Sequence, residues 1–188
     1  MKDYVIAKNE KVFVVLAEKL GFTELVFING DAQSEHSSAG PSKALGLDRV
    51  SKLKSNSGIK LSSSKRIFKS DIKKDRNLIE SKKTDIIYGF ETLSRKDGFH
   101  FLNSGLNHVL VKLMKEKNVS YGLSFSQLLN ASRQEQAVIL GRILQNLKLC
   151  KKYKVPVVVG SFANSPYQMR DSKDLLAFAR TLGLQNYN

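Results

Sequence analysis

The feature that most constrains this chain is an alternation of short apolar runs with amphipathic helical patterns. KDYVIA, ELVFIN, DIIYGFE, VSYGLSFS and VPVVVGSF are each 6–8 residues long and rich in Val, Ile, Tyr and Phe, as buried strands are. Between them lie helical patterns. NEKVFVVLAEKLG carries Val12, Val15, Leu16 and Leu20 at helical spacing, with Asn9 as N-cap and Gly21 as stop. Asp71 starts a weak helix over DIKKDRNLIESK, and Ser104 caps a helix whose apolar face is Leu106, Val109, Leu110, Leu113 and Met114, with His108 on the opposite side. SRQE (Ser132 to Glu135) is a capping box opening a long helix to Tyr153, with Leu140, Ile143, Leu144 and Leu147 as its core face. Ser172 caps a last helix that Gly183 ends.

Strand, helix, strand, helix implies parallel strands joined by crossovers. Counting GIKLSS and the extended segment FHFLN, the chain holds seven or eight strands. The fold class is therefore α/β, a single TIM-like (β/α) barrel domain. Such barrels use roughly 200 residues or more, and this chain has 188, so the barrel is expected to be short or distorted. Residues 31–65 interrupt the alternation with a Ser- and Lys-rich loop that has room for one short helix at Ser42–Lys54.

Charge narrows the function. The net charge is +14, and it is uneven: residues 49–83 hold 12 basic against 3 acidic side chains, while residues 1–48 hold 5 against 7. A field of this kind draws polyanions, and nucleic acid is the first candidate. A membrane surface fits less well, because the basic block has few large apolar residues to insert. One cysteine, Cys150, allows no internal disulfide and sits in an amphipathic helix, where packing explains it better than nucleophilic chemistry. No apolar run approaches the ~20 residues that span a bilayer, and Lys8, Glu10 and Lys11 break up the N-terminal one. These features lead to the expectation of a soluble cytoplasmic protein.

Catalytic patterns are scarce. The three histidines, His36, His100 and His108, form no HExxH or His-x-His, and there is no CxxC, GxSxG, P-loop or GxGxxG. Asp31 and Glu91, each just after a strand, are the carboxylates best placed for a hard cation. GSFANS, residues 160–165, could hold a phosphate on backbone N–H groups after a late strand, or simply turn the chain. An independent barrel phosphoesterase built on Asp31, Glu91 and this loop is one alternative; a general RNA-binding module is another.

Two longer stretches carry a resemblance. NSGLNHVLVKLMKEKNVSYGLSF and LGRILQNLKLCKKYKVPVVVGSFANSPYQMRDSKDLLAFARTLGL occur in order, at matching distances, within residues 85–184. Together they resemble the RNase P protein component 3 family, the archaeal counterpart of a eukaryotic RNase P and RNase MRP subunit. The resemblance implies a TIM-like barrel with no catalytic metal site or cofactor of its own. It implies a non-catalytic subunit of a ribonucleoprotein that removes 5′ leaders from precursor tRNA, with the catalytic Mg²⁺ held by the RNA. It also implies a small RRM-like partner subunit, two such pairs forming a heterotetramer on the catalytic domain of the RNA.

For that work the residues offer a cationic surface that lowers phosphate repulsion, and with it the demand for Mg²⁺. The candidates in the basic block are Lys52, Lys54, Lys60, Lys65, Arg66, Lys69, Lys73, Lys74 and Arg76, with Ser62–Ser64 as added phosphate donors. Only Phe68 adds an aromatic ring inside the block, which argues against a stacking platform for single strands. Arg95, Lys96 and His100 precede the Ser104 helix, and Arg170 and Lys173 stand at the start of the last helix; both are places where backbone N–H groups favour an anion. On the long helix, Val138, Arg142, Gln145, Leu149 and Lys152 form a mixed apolar and basic strip suited to a protein partner.

Overall fold

The computed structural model describes residues 1–6, 10–28, 59–62, 66–92, 97–99 and 102–184. Within them are seven strands: β1 Lys2–Val5, β2 Glu24–Phe27, β3 Lys60–Ser62, β4 Ile67–Lys69, β5 Ile86–Tyr88, β6 Ser120–Ser124 and β7 Val157–Gly160. The helices are α1 Glu10–Lys19, α2 Asp75–Glu80, α3 His108–Lys117, α4 Phe125–Leu129, α5 Arg133–Tyr153 and α6 Ser172–Thr181, with a 3₁₀ turn at Pro166–Gln168. All pairings are parallel, in sequence order: β1-β2-β3 in one sheet and β4-β5-β6-β7 in the other. A parallel bridge from Val5 to Ala163 brings β1 beside the end of β7. No ladder joins β3 to β4 among the described residues. This is the strand order of a (β/α) barrel, short and distorted as expected.

Strand alternation sorts the side chains into an interior and an outer layer. The interior holds Tyr4, Val26, Ile28, Ile67, Ile86, Tyr88, Val158 and Phe162. Its centre is an aromatic stack: the Phe162 ring lies 5.4 Å from Tyr4 and 4.6 Å from Tyr88. Room for it comes from Gly122, where a Cβ would stand 2.8 Å from Tyr88 Cβ and 3.1 Å from Phe162 Cζ. The outer layer packs Tyr121, Leu123 and Val159 against α3 and α5, and Val5, Leu25 and Phe27 against α1 and α6.

The seam between β7 and β1 is fastened by a side chain. Asp3 is wholly buried; its Oδ1 accepts from Tyr4 N (2.8 Å) and Ser161 N (2.6 Å), and its Oδ2 accepts from Ser161 Oγ (2.6 Å). Ile6 N adds a bond to Ala163 O at 2.8 Å.

The capping box at Ser132 and Glu135 forms as expected, and Gly21 (φ +70°) and Gly183 (φ +80°) follow their helices. Three caps differ. Asn107, not Ser104, caps α3 by accepting from Leu110 N, while Ser104 is buried. Asp171, not Ser172, caps α6. Lys74 stands at the N-cap of α2 with no side-chain bond, and Asp71 instead accepts from Lys73 N in the preceding turn. At α3 and α6 a neighbouring polar side chain takes the free N–H group; at α2 no side chain does. The strand expected to run to residue 126 stops at Ser124, because Ser126 turns to donate to Phe162 O at 2.9 Å. FHFLN adds no strand among its described residues. Asn9 and most of residues 31–65 lie outside the described residues.

Candidate nucleic-acid interface

At the turn from β4 into α2, a buried carboxylate organises the basic block. Asp75 accepts from Ser70 Oγ (2.7 Å) and from Asp71 N (2.8 Å). The turn it shapes carries exposed Lys69, Lys73 and Lys74, and Lys60 is exposed on β3. Arg66 and Arg76 are exposed too, but each is held by a carboxylate. Arg66 donates to Asp85 through Nη2 (2.9 Å) and Nε (3.2 Å), and Arg76 Nε donates to Glu80 at 2.7 Å. Those hydrogen bonds hold both guanidinium groups above their ordinary pKa. Lys52, Lys54, Lys65, Arg95, Lys96 and His100 lie outside the described residues.

At both helix starts where an anion was expected, a side chain caps the helix, and the Arg95, Lys96 and His100 expected before α3 lie outside the described residues. At α6 the position of an anion is taken by Asp171, whose carboxylate accepts from Lys173 N at 2.7 Å; Arg170 bonds the carbonyls of Tyr167 (3.1 Å) and Met169 (2.9 Å). At α3 the neutral Asn107 caps, leaving His108 exposed at the first helical position.

The strip on α5 also changes. Arg142 is 2% exposed: Nη2 donates to Asp97 Oδ1 at 2.8 Å, and Nη1 donates to the carbonyls of Thr92 and Glu91. One turn on, buried Asn146 donates to Ser104 O at 2.9 Å. The buried face is thus Ile139, Arg142, Ile143, Asn146, Leu147 and Cys150, rotated by about one residue, or ~100°, from the expected stripe; Leu144 is 42% exposed. Arg142 leaves the partner strip. Gln145 and Leu149 remain, lining a depression of about 350 Å³ with Leu102 and His108, and Lys152 stays exposed with its ammonium 5.6 Å above the Tyr153 ring. Val138 is half-buried.

A cavity of about 470 Å³ opens at the C-terminal ends of the strands, lined among others by Lys69, Tyr88, Glu91, Ser124, Gln127 and Asn164. This is where barrel enzymes place their chemistry. Glu91 is buried and accepts from Tyr121 Oη at 3.2 Å. Two N–H groups of GSFANS are already bonded, Ser161 N to Asp3 and Asn164 N to Gln168 Oε1 (2.8 Å). The loop is therefore a seam and a turn rather than an open phosphate cradle. Its Phe162, at φ +47°, fills the barrel. Burial pushes the Cys150 thiol up to about 12, which suits packing and not nucleophilic attack. Asp31 lies outside the described residues, and no group of three or more His, Cys, Asp or Glu that could hold a metal occurs among the described ones.

The family model described as RNase P subunit p30 matches residues 73–188. The chain belongs to that family. Ribonuclease P protein component 3 of Methanococcus vannielii is 38% identical over 117 residues, covering 62% of this chain and 48% of the relative. That of Methanocaldococcus jannaschii is 40% identical over 111 residues, covering 59% and 45%. The chain thus aligns with about half the length of these relatives. A chain in the cryo-EM structure of archaeal Ribonuclease P with mature tRNA superposes with a TM-score of 0.70 at 26% identity, over 97% of this chain and 82% of that one. The p30 match begins at Lys73, so of the described RNA-binding candidates in the block Lys73, Lys74 and Arg76 fall inside it, while Lys60, Arg66 and Lys69 precede it.

Proposed function

We propose that this chain is a non-catalytic protein subunit of ribonuclease P that folds as a single domain and works in the cytoplasm. It binds the catalytic domain of the RNase P RNA together with a small RRM-like partner. Its cations lower phosphate repulsion, reduce the Mg²⁺ required, and so support removal of 5′ leaders from precursor tRNA. The observation that carries this reading is the family match across residues 73–188, which includes the lysine-bearing turn before α2. Lys60, Lys69, Lys73 and Lys74 are the described side chains best suited to RNA phosphates, since all four are exposed. Lys52, Lys54, Lys65, Arg95, Lys96 and His100 belong to the same proposal by sequence. Arg66, Arg76, Arg170 and Lys173 contribute less, the three arginines being bonded already and Lys173 standing beside the Asp171 carboxylate.

For the partner, the surface of choice is the Leu102–His108–Gln145–Leu149 depression, with Val138 and Lys152 farther along α5. Two copies of each pair would make a heterotetramer. No helix among the described residues is long and apolar enough to cross a membrane. The test is cleavage of precursor tRNA by the cognate RNA at limiting Mg²⁺, with this chain, the partner, both or neither. Stimulation by the pair supports the reading. Cleavage by the chain without RNA, lost on neutralising Asp31 or Glu91, would replace it with the phosphoesterase alternative.

A further inference from the structure

We infer that the cavity at the C-terminal ends of the strands takes a single nucleotide, with its base inside and its phosphate at Lys69. The inference rests on the RNA-binding reading above and adds a contact that surface lysines alone do not make. The cavity holds about 470 Å³, and Ile28, Ile67 and Phe162 give it an apolar floor. That size and lining suit a small ligand. Its polar groups divide in two. Some are committed already: Ser126 Oγ donates to Phe162 O, Asn130 Oδ1 accepts from Gln168 Nε2 at 3.2 Å, and Glu135 accepts from Ser132 N at 2.8 Å. The side chains of Tyr88, Gln127 and Lys69 line the cavity with no hydrogen bond or ion pair to any described residue. Tyr88 is only 4% exposed. A buried hydroxyl without a partner is costly, and packing alone would need only the ring. Burial pushes this phenol up to about 12, so it stays an O–H donor at neutral pH. Gln127 is half-buried, its amide seated on Gly89. A Cβ at Gly89 would stand 2.6 Å from Gln127 Nε2 and 3.5 Å from Lys69 Cγ, and its φ is +80°, so the position favours glycine on both counts.

These three uncommitted groups select the ligand. An amide carries a donor and an acceptor side by side, as the edge of an unstacked base does. The phenol adds a donor for a base carbonyl or ring nitrogen. The exposed ammonium of Lys69 is a point charge for phosphate. Glu91 and Glu135 also line the cavity, and Glu91 is buried, accepting from Tyr121 Oη at 3.2 Å. The phosphate therefore belongs at the mouth with Lys69, not inside beside two acidic groups. Two sources have this chemistry: an unpaired nucleotide turned out of an RNA, and a free nucleotide. Lys69 is part of both the basic block and the cavity, which joins the site to the proposed RNA surface.

The test titrates the full chain with uridine 5′-monophosphate, uridine and inorganic phosphate, followed by NMR shifts. Two RNA hairpins that differ by one bulged uridine are titrated alongside. Tyr88→Phe and Gln127→Leu should each weaken the monophosphate about 2- to 12-fold, the loss of one hydrogen bond. Lys69→Ala should weaken the monophosphate and leave uridine unchanged. Tyr88→Phe should not lower the melting temperature, because its hydroxyl has no described partner to lose. A preference for the bulged hairpin, displaced by the monophosphate and lost in Gln127→Leu, assigns the site to RNA. Monophosphate binding without that preference assigns it to a free nucleotide; either result supports the site. No binding of monophosphate and no preference for the bulge would overturn it. So would full affinity in both Tyr88→Phe and Gln127→Leu, a melting temperature that falls in Tyr88→Phe, or competition by phosphate as strong as by the monophosphate. A chain that binds the monophosphate here but never stimulates its cognate RNA would sink the RNase P reading and leave this site standing.

Discussion

Two arginine–aspartate pairs of nearly identical geometry divide the labour of this molecule. Arg66 meets Asp85 at 2.9 Å and Arg142 meets Asp97 at 2.8 Å, but the Arg66 side chain is 55% exposed and that of Arg142 only 3%. Water competes for the first pair and is excluded from the second guanidinium. A surface pair contributes little however good its distances, whereas a buried cation stripped of partners is costly. The difference teaches that charge on this chain has two uses. Among the described residues Lys60, Lys69, Lys73 and Lys74 stay in water, where the proposed function would use them, and Arg142 is withdrawn to hold Asp97 and the Glu91 and Thr92 carbonyls.

The largest effect should come from breaking the withdrawn pair. Arg142→Met takes the guanidinium away from Asp97 and from the Glu91 and Thr92 carbonyls, and should cost on the order of 3 kcal/mol in urea unfolding. A midpoint equal to that of the parent would mean that these groups are held by other means.

Asp3 sharpens the contrast, being a buried carboxylate held by Ser161 and Tyr4 rather than by an arginine. Its pKa is raised to about 6, because burial outweighs the hydrogen bonds from Ser161 and Tyr4. The folded state therefore holds its proton more tightly than the unfolded chain, whose Asp titrates near ~3.9. Stability contributed at this site is full below pH ~4 and declines as pH rises toward about 6. Asp3→Asn should remove that decline, gaining on the parent between those two values. Asp3→Ala leaves the amides of Tyr4 and Ser161 unpaired at the β7–β1 seam and should cost about 2 kcal/mol. Parallel stability–pH curves for parent and Asp3→Asn would refute the assignment.

These two sites mark where sequence reading stops. The strand–helix alternation was visible because each element is a run of local residues, and the long helix ends at Tyr153 as its pattern indicates. The partners of Arg142 and Asn146 lie 42–51 residues upstream, and α5 has aliphatic side chains on every face. An arginine and an asparagine on such a helix look solvent-facing, so the apolar stripe in the sequence points about one residue away from the buried face. β4 is three residues long and ends in Lys69, too short for its alternation to stand out from the basic loop before it. Phe99 is 97% exposed, and that had no local signal, since FHFLN reads equally well as buried strand. The basic turn was legible, because charge density needs no tertiary partner to be counted. Which of its cations are already paired was not.

Next in size is the acid side of the buried pair. The Asn103 amide first, and then Arg142, hold the Asp97 carboxyl below the usual range. Its contribution is complete above the unfolded value near ~4 and fades as pH falls through the lower folded one. The melting temperatures of parent and Asp97→Asn should therefore stay a fixed interval apart from pH 7 to pH 5 and converge below pH 4. An interval that persists into stronger acid would show that the carboxylate's charge plays no part in holding Arg142.

The smallest effect on stability belongs to the exposed arginine. Arg66→Ala should leave the melting temperature unchanged, because solvent replaces what Asp85 loses. Salt dependence supplies the complementary reading. Each lysine that meets a phosphate adds about one unit to the slope of log K against log salt, so Lys73→Ala and Lys74→Ala should each flatten it while the fold is untouched. Arg66→Ala should flatten it less, since its guanidinium must leave Asp85 before it can neutralise a phosphate and the freed carboxylate then repels the RNA. If Arg66→Ala flattened the slope as much as either lysine, the surface pair would have to be open in the complex. The exposed pair would then differ from the buried one in being reversible as well as in being wet.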